Sequence, residues 1–329
     1  MKFDVVAIGS TTFDSYFETK FKIVKDPNTA TGKAYLLPLG EKMGIKDVYF
    51  TLGGNAANAA VTFANQGLKT GIFTKVGDDA VGGELVKKLK VGHVDTRFVE
   101  YSKLPTARSV LLLQNGERTI LSYHGAINDF SLKNVPWSRI KAKWWYVSLP
   151  GESYKLLGSL LSAAKKMKVN VALNPSFKQM SDGRADLLKH LKDISFLVVN
   201  NEEAALLTGI SFKRGDEVFK RLDKIMPGIV AITSGPKGVT VSDGKFIYRA
   251  GTFKEKKLVD RTGAGDAFGS GFVSGLIKKN NIEYAIRFAT ANATATVEEL
   301  GATEGLLEKG EFDKSARFKN LKITKQKIR

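Results

Sequence analysis

The chain has 329 residues, 43% hydrophobic and 26% charged, with a formal net charge of +18 and no cysteine. That composition provides for a large core and argues against disorder, while the missing thiols exclude disulfides, cysteine nucleophiles and thiolate metal sites. His93, His124 and His190 share no metal-binding spacing, and no apolar run approaches the roughly 20 residues that span a bilayer, so a cytoplasmic protein is expected.

In chain order, the opening MKFDVVAIGS reads as a first strand over Val5-Val6-Ala7-Ile8 rather than a signal peptide. No long helix is expected over about 11–52. A helix over about 56–66, a strand over 70–76 and a helix over about 82–89 follow. Residues 108–113 and 118–122 read as two strands around Asn115-Gly116, a strong hairpin signal. Then come strands over 144–149, 169–173, 196–199 and 229–233, a helix over 154–167, and a helical half from Ala267 onward. This alternation predicts an α/β fold, one doubly wound domain over 1–329 with a mostly parallel sheet and helices on both faces. The segments 11–52 and 104–124 depart from the rhythm and predict a small β flap over the ligand crevice.

The basic residues recur in helical patterns such as Val86-Lys87-Lys88-Leu89-Lys90, which read as solvated faces rather than a nucleic-acid site. The segment 309–329 is the exception, with eight lysines and arginines against Glu311 and Asp313, either a fraying end or a site for something acidic.

The chemistry concentrates in Asp260-Arg261-Thr262-Gly263-Ala264-Gly265-Asp266, which ends an extended stretch and opens a helix. Glycines at such a junction let backbone N–H groups approach an anion, and the helix dipole adds positive charge there. Asp266 repels phosphate unless its task is to take a proton, so the turn reads either as a general base beside an anion hole or as a charged first helical turn.

This turn resembles the C-terminal signature of ribokinase-like (PfkB-type) carbohydrate kinases, Asp-Thr-x-Gly-Ala-Gly-Asp, with Arg261 where threonine is usual. Gly53-Gly54-Asn55-Ala56-Ala57-Asn58 resembles the family's Gly-Gly-x-x-x-Asn, and Gly9-Ser10-Thr11-Thr12-Phe13-Asp14 its Gly-x-x-x-x-Asp. Asn200-Asn201-Glu202-Glu203 and Thr233-Ser234-Gly235-Pro236-Lys237-Gly238 are similar to its Asn-x-x-Glu and nucleotide-loop motifs. The resemblance runs in order over nearly the whole chain. It implies an enzyme that moves the γ-phosphate of ATP to an alcohol group of a sugar or sugar-like substrate. Asp266 would be the general base, with the amides of Gly263, Ala264 and Gly265 as the anion hole. Asp14, Gly53, Gly54 and Asn58 would meet the substrate. Asn200, Thr233, Gly235, Gly238 and Asn292 would hold the nucleotide, and Asn174-Pro175 would lie near its phosphates. Glu203 with Asn200 would organise Mg2+ through water. Bland readings stand beside these: a helix start for Asn200 and Glu203, a plain turn for Gly235-Pro236.

Arg108, at the start of a flap strand, is a candidate for an acidic substrate group or simply an exposed arginine. A nucleoside acceptor is the alternative, with Phe13, Tyr16 and Tyr123 as candidate stacking rings. Thr12 stands where ribokinases proper usually carry asparagine, and Arg261 bears on a K+ site that many members possess. A rival of another class is a non-catalytic sugar or nucleotide sensor. Related kinases often pair through their flaps, which leaves a homodimer and a monomer with a solvated flap both open. No P-loop and no dinucleotide fingerprint occurs.

Overall fold

A computed structural model describes residues 2–29, 31–114, 117–131, 135 and 137–328. The Asn115-Gly116 turn and the last residue of the basic segment lie outside them.

The central sheet has ten strands among the described residues, and seven of them run parallel. In spatial order these are Ile229–Thr233, Phe196–Asn200, Asn170–Leu173, Ala142–Ser148, Phe3–Gly9, Thr70–Gly77 and Asp95–Ser102. From the first strand the chain moves outward on one side, then returns and builds the other side. The switch falls between Phe3–Gly9 and Ala142–Ser148, where ligands bind in open α/β sheets. Three antiparallel strands that the sequence reading did not separate, Val239–Ser242, Phe246–Ala250 and Ile323–Lys327, extend the far edge. Part of the basic segment therefore forms an edge strand.

Both faces are covered because the strands are apolar on both sides. Leu197 and Val199 join one core cluster, Phe196 and Val198 the other. On the second face lie the helices Asn55–Asn65, Ala264–Lys279 and Ile282–Thr296. The last two pack closely through small residues: a Cβ on Gly275 would lie 2.6 Å from the Ala285 Cα. Phe272 is fully buried there, stacked on Phe196 at 4.4 Å between ring centroids.

The flap is a second sheet, in the order Asp47–Gly53, Thr12–Glu18, Arg108–Gln114, Glu117–Tyr123, with a small ribbon of Lys22–Lys25 and Lys33–Leu36 beside it. Its root is tied to the body by Asp79. That carboxylate caps the helix Ala80–Val91 through the Gly82 N–H at 2.7 Å and accepts from the Thr106 N–H at 2.8 Å and hydroxyl at 2.6 Å.

Phe272→Ala should cost about 3–5 kcal/mol in urea unfolding, because it removes a buried ring from between two packed layers.

Candidate active site

The site is built on strand ends. Gly9 ends the first strand so close to its neighbour that a Cβ would lie 2.2 Å from the Ser148 carbonyl oxygen. The chain then rises into the flap strand that carries Asp14. This carboxylate is 6% exposed and accepts the Thr12 hydroxyl at 2.9 Å. Burial pushes its pKa up, while hydrogen bonds from Thr12 and Ser109 oppose the rise. Gly53 on the adjacent strand leaves room for it: a Cβ there would lie 2.0 Å from Asp14 Oδ2. Gly54 has φ +93° and passes so close to the Ser10 carbonyl that a side chain would collide with it.

From Gly54 the helix Asn55–Asn65 begins, and its first turn presents Asn58 to the Asp266 carboxylate. Asn58 Nδ2 donates to Asp266 Oδ2 at 2.8 Å, and Asn174 Nδ2, from the end of Asn170–Leu173, donates to Oδ1 at 3.0 Å. Asp266, 9% exposed in the first turn of Ala264–Lys279, is thus gripped from both sides. Burial pushes its pKa up to about 6, against the lowering effect of the Asn58 amide. The Tyr146 hydroxyl lies nearby, and burial first, then the Asp266 charge, push its ionisation up as well.

The turn before this helix suits an anion. Gly263 has φ +78° and fits against Ala302, where a Cβ would lie 2.4 Å from the Ala302 Cβ. The Ala264 N–H reaches the Arg261 carbonyl at 3.4 Å, and the amides of Gly265 and Asp266 belong to the first turn, which has no intrahelical acceptors. No atom would touch a Cβ on Gly265 within 4 Å, so the space beside this residue is open.

On the neighbouring strand ends, Asn200 and Thr233 sit side by side in register. Asn200 and Glu203 form a reciprocal capping box, at 2.9 Å from the Glu203 N–H to Asn200 Oδ1 and 2.8 Å from the Asn200 N–H to Glu203 Oε2. Burial raises the Glu203 pKa, and the Asp266 charge raises it further. Gly235, with φ +53°, opens the short turn Gly235–Lys237, and Gly238 follows at φ +94°.

The family described as pfkB family carbohydrate kinase matches residues 5–309. The chain belongs to this family. It is 30% identical over 257 residues to a cytidine kinase of Thermococcus kodakarensis, covering 76% of this chain and 88% of the relative. It is also 30% identical over 280 residues to a ribokinase of Haemophilus influenzae, covering 83% and 89%. An Arabidopsis thaliana ribokinase complexed with ribose and ATP superposes with a TM-score of 0.78 at 23% identity, covering 94% and 96%. The ribokinase-like fold and a kinase activity follow, and the non-catalytic sensor is set aside.

Within this PfkB kinase several expected contacts move. Arg108 pairs in register with Phe13 and Tyr123, whereas Asp14 pairs with Ser109 and Thr51. Period-two alternation therefore puts the Arg108 side chain on the face opposite Asp14, and Ser109 takes the place expected of it. Asn292 is fully buried, donates to the Ala267 carbonyl at 2.9 Å and accepts the Leu307 N–H at 3.0 Å. It braces the two final helices and is no part of a nucleotide surface. Asn58 meets the Asp266 carboxylate, and its Oδ1 is buried and accepts no hydrogen bond. Of the candidate stacking rings, Phe13 stacks on Phe50 at 5.5 Å, Tyr16 is fully buried, and Tyr123 shares the Arg108 face. Asn174 gains weight as the second donor to Asp266. The sequence signal was an asparagine at a strand end.

Asn58→Ala removes the donor that stabilises the Asp266 carboxylate, so its pKa should rise further above 6. A carboxyl 13C NMR titration of the two forms checks the direction.

Proposed function

We propose that this kinase transfers the γ-phosphoryl group of ATP to a hydroxyl of a sugar or sugar-like substrate, with Asp266 as the general base. One observation carries the reading: a buried carboxylate with a pKa near 6 stands beside an open anion turn, held by two asparagine amides. The acceptor would lie under the flap against Asp14, Gly53, Gly54 and the Asn58 carbonyl oxygen. Asp266 draws the proton from its hydroxyl as the amides at Gly263, Ala264 and Gly265 receive charge on the transferred group. The nucleotide would run over Thr233, Gly235 and Gly238 toward Asn200.

Mg2+ fits this site. Burial and then the Asp266 charge raise the cost of ionising Glu203, and the capping box engages only one Glu203 oxygen, so a hard cation held through water would relieve that cost. Bound there, the ion would neutralise phosphate charge; Glu203 and Asn200 position it. A K+ ion fits less well, because Asp260, the other carboxylate of the turn, already has the Arg118 guanidinium beside it at 3.4 Å.

A nucleoside acceptor is the second reading, favoured by the similarity to a cytidine kinase. The flap supports a homodimer: Phe50, Leu121 and Tyr123 share its outer face and are each about half exposed. Light scattering measures that state. Use of ATP and the lack of cysteine are the grounds for a cytoplasmic location. No helix among the described residues is long and apolar enough to cross a membrane.

An ATP-consumption screen over free sugars, sugar acids, sugar phosphates and nucleosides, with and without Mg2+ and K+, tests the proposal. Asp266→Asn should lower kcat about 10²- to 10⁴-fold; near-normal turnover would show that the base lies elsewhere. With the wild type, kcat/KM should fall about tenfold per pH unit below about 6, as the carboxylate takes up its proton. A profile flat to pH 5 speaks against Asp266.

A further inference from the structure

Asp260 opens the catalytic turn, and its carboxylate is almost wholly buried at 3% exposure. Its Oδ1 accepts the Thr262 N–H at 2.9 Å and the Thr262 hydroxyl at 2.7 Å, fixing the residue immediately before the Gly263–Asp266 amides. The same oxygen receives Arg118 Nη1 at 3.4 Å, a guanidinium from the outermost flap strand, Glu117–Tyr123. Asp260 Oδ2 is buried and has no hydrogen-bond partner, and neither has the Tyr16 hydroxyl from the middle of the flap. Burial raises the Tyr16 ionisation most, and Asp260 adds to it by its charge and as a hydrogen-bonding neighbour, so the Tyr16 hydroxyl lies beside the carboxylate. By strand register Arg118 stands on the same flap face as Tyr16 and Asp14.

Guanidinium groups pair best with carboxylates as a fork, two parallel N–H donors to two oxygens. Here the pair is single-pronged, and the oxygen needed for the second prong is buried without a well-formed hydrogen bond, with only the Tyr16 hydroxyl close by. A small advance of the flap toward the body would complete the fork and satisfy that oxygen. We infer that Arg118 is a positioning residue: it latches the flap to Asp260, so that closing the flap over an acceptor also fixes the turn whose amides receive the phosphoryl group. The inference rests on the kinase reading above for its catalytic consequence, though not for the latch itself.

The absence of cysteine makes the latch directly measurable. Spin labels on Thr119→Cys, in the flap strand, and Glu304→Cys, on the body rim, report the flap-to-body distance by double electron–electron resonance. A narrow distribution is expected with Arg118 intact, and a longer, broader one with Arg118→Met. Superimposable distributions would overturn the latch. In kinetics with ribose, fructose or cytidine, whichever the wild type phosphorylates, Arg118→Met should lower kcat about 10- to 100-fold, as small misplacements of reacting groups do. Acceptor KM should change much less. Arg118→Lys should fall between, because it keeps the charge and loses the fork, and low millimolar guanidinium should restore part of the rate to Arg118→Ala. An unchanged kcat in Arg118→Met refutes the positioning role. If the wild type phosphorylates no acceptor in the full screen of sugars, sugar acids, sugar phosphates and nucleosides, the proposed phosphoryl transfer fails while the label distances still decide the latch.

Discussion

The burial of one carboxylate constrains everything around it. Asp266 sits where backbone amides and a helix N-terminus favour negative charge, yet the surrounding apolar packing disfavours it, and burial wins. Moving its pKa from 3.8 to about 6 means that the ionised form costs the folded chain about 3 kcal/mol. The sign matters: folding favours the protonated acid, so stability is lost as pH rises from 3.8 through 6 and stays lower above it. Asn58 and Asn174 limit that cost with two donors, one from a helix start and one from a strand end. The packing of Asn55–Asn65 against Ala264–Lys279 is therefore also the packing that sets the Asp266 carboxylate.

The glycines answer to the same demand. A side chain on Gly53 would strike Asp14, one on Gly54 the Ser10 carbonyl, and one on Gly263 the Ala302 backbone. Each is a place where two segments must approach to bring a carboxylate or an amide to the crevice. The helix Ala264–Lys279 accepts several glycines despite their entropic cost because Ile282–Thr296 packs directly on its backbone.

Much of this was legible in the sequence, for physical reasons that also explain the misses. Parallel strands buried on both faces leave unbroken apolar runs, so Val5-Val6-Ala7-Ile8 and Phe196-Leu197-Val198-Val199 are visible without a partner. The edge strand Ile323–Lys327 and its neighbour Phe246–Ala250 mix lysine, arginine and aromatic residues, and only their pairing declares them. The flap hairpin could be placed, but which side of it faces the crevice depends on register, and one residue separates Arg108 from Ser109. Asn292 carries no local sign that distinguishes an internal brace from a ligand contact. Its partners lie 25 residues before it and 15 after. Arg118 and Asp260 are 142 residues apart, and nothing in either neighbourhood announces the pair.

The net charge of +18 and the acidic crevice then belong to one design. A strongly basic surface creates a field that draws a polyphosphate toward the protein from a distance, with an influence that salt screens. At the crevice the sign reverses locally, since Asp14, Glu203, Asp260 and Asp266 all gather around the strand ends and the flap. Burial raises Asp14, Glu203 and Asp266, so each disfavours a second bare anion nearby. A polyphosphate brought near these carboxylates would need its charge offset, and the unpaired backbone amides at the start of Ala264–Lys279 lie beside them. Long-range attraction and short-range repulsion thus act on the same anion with opposite sign.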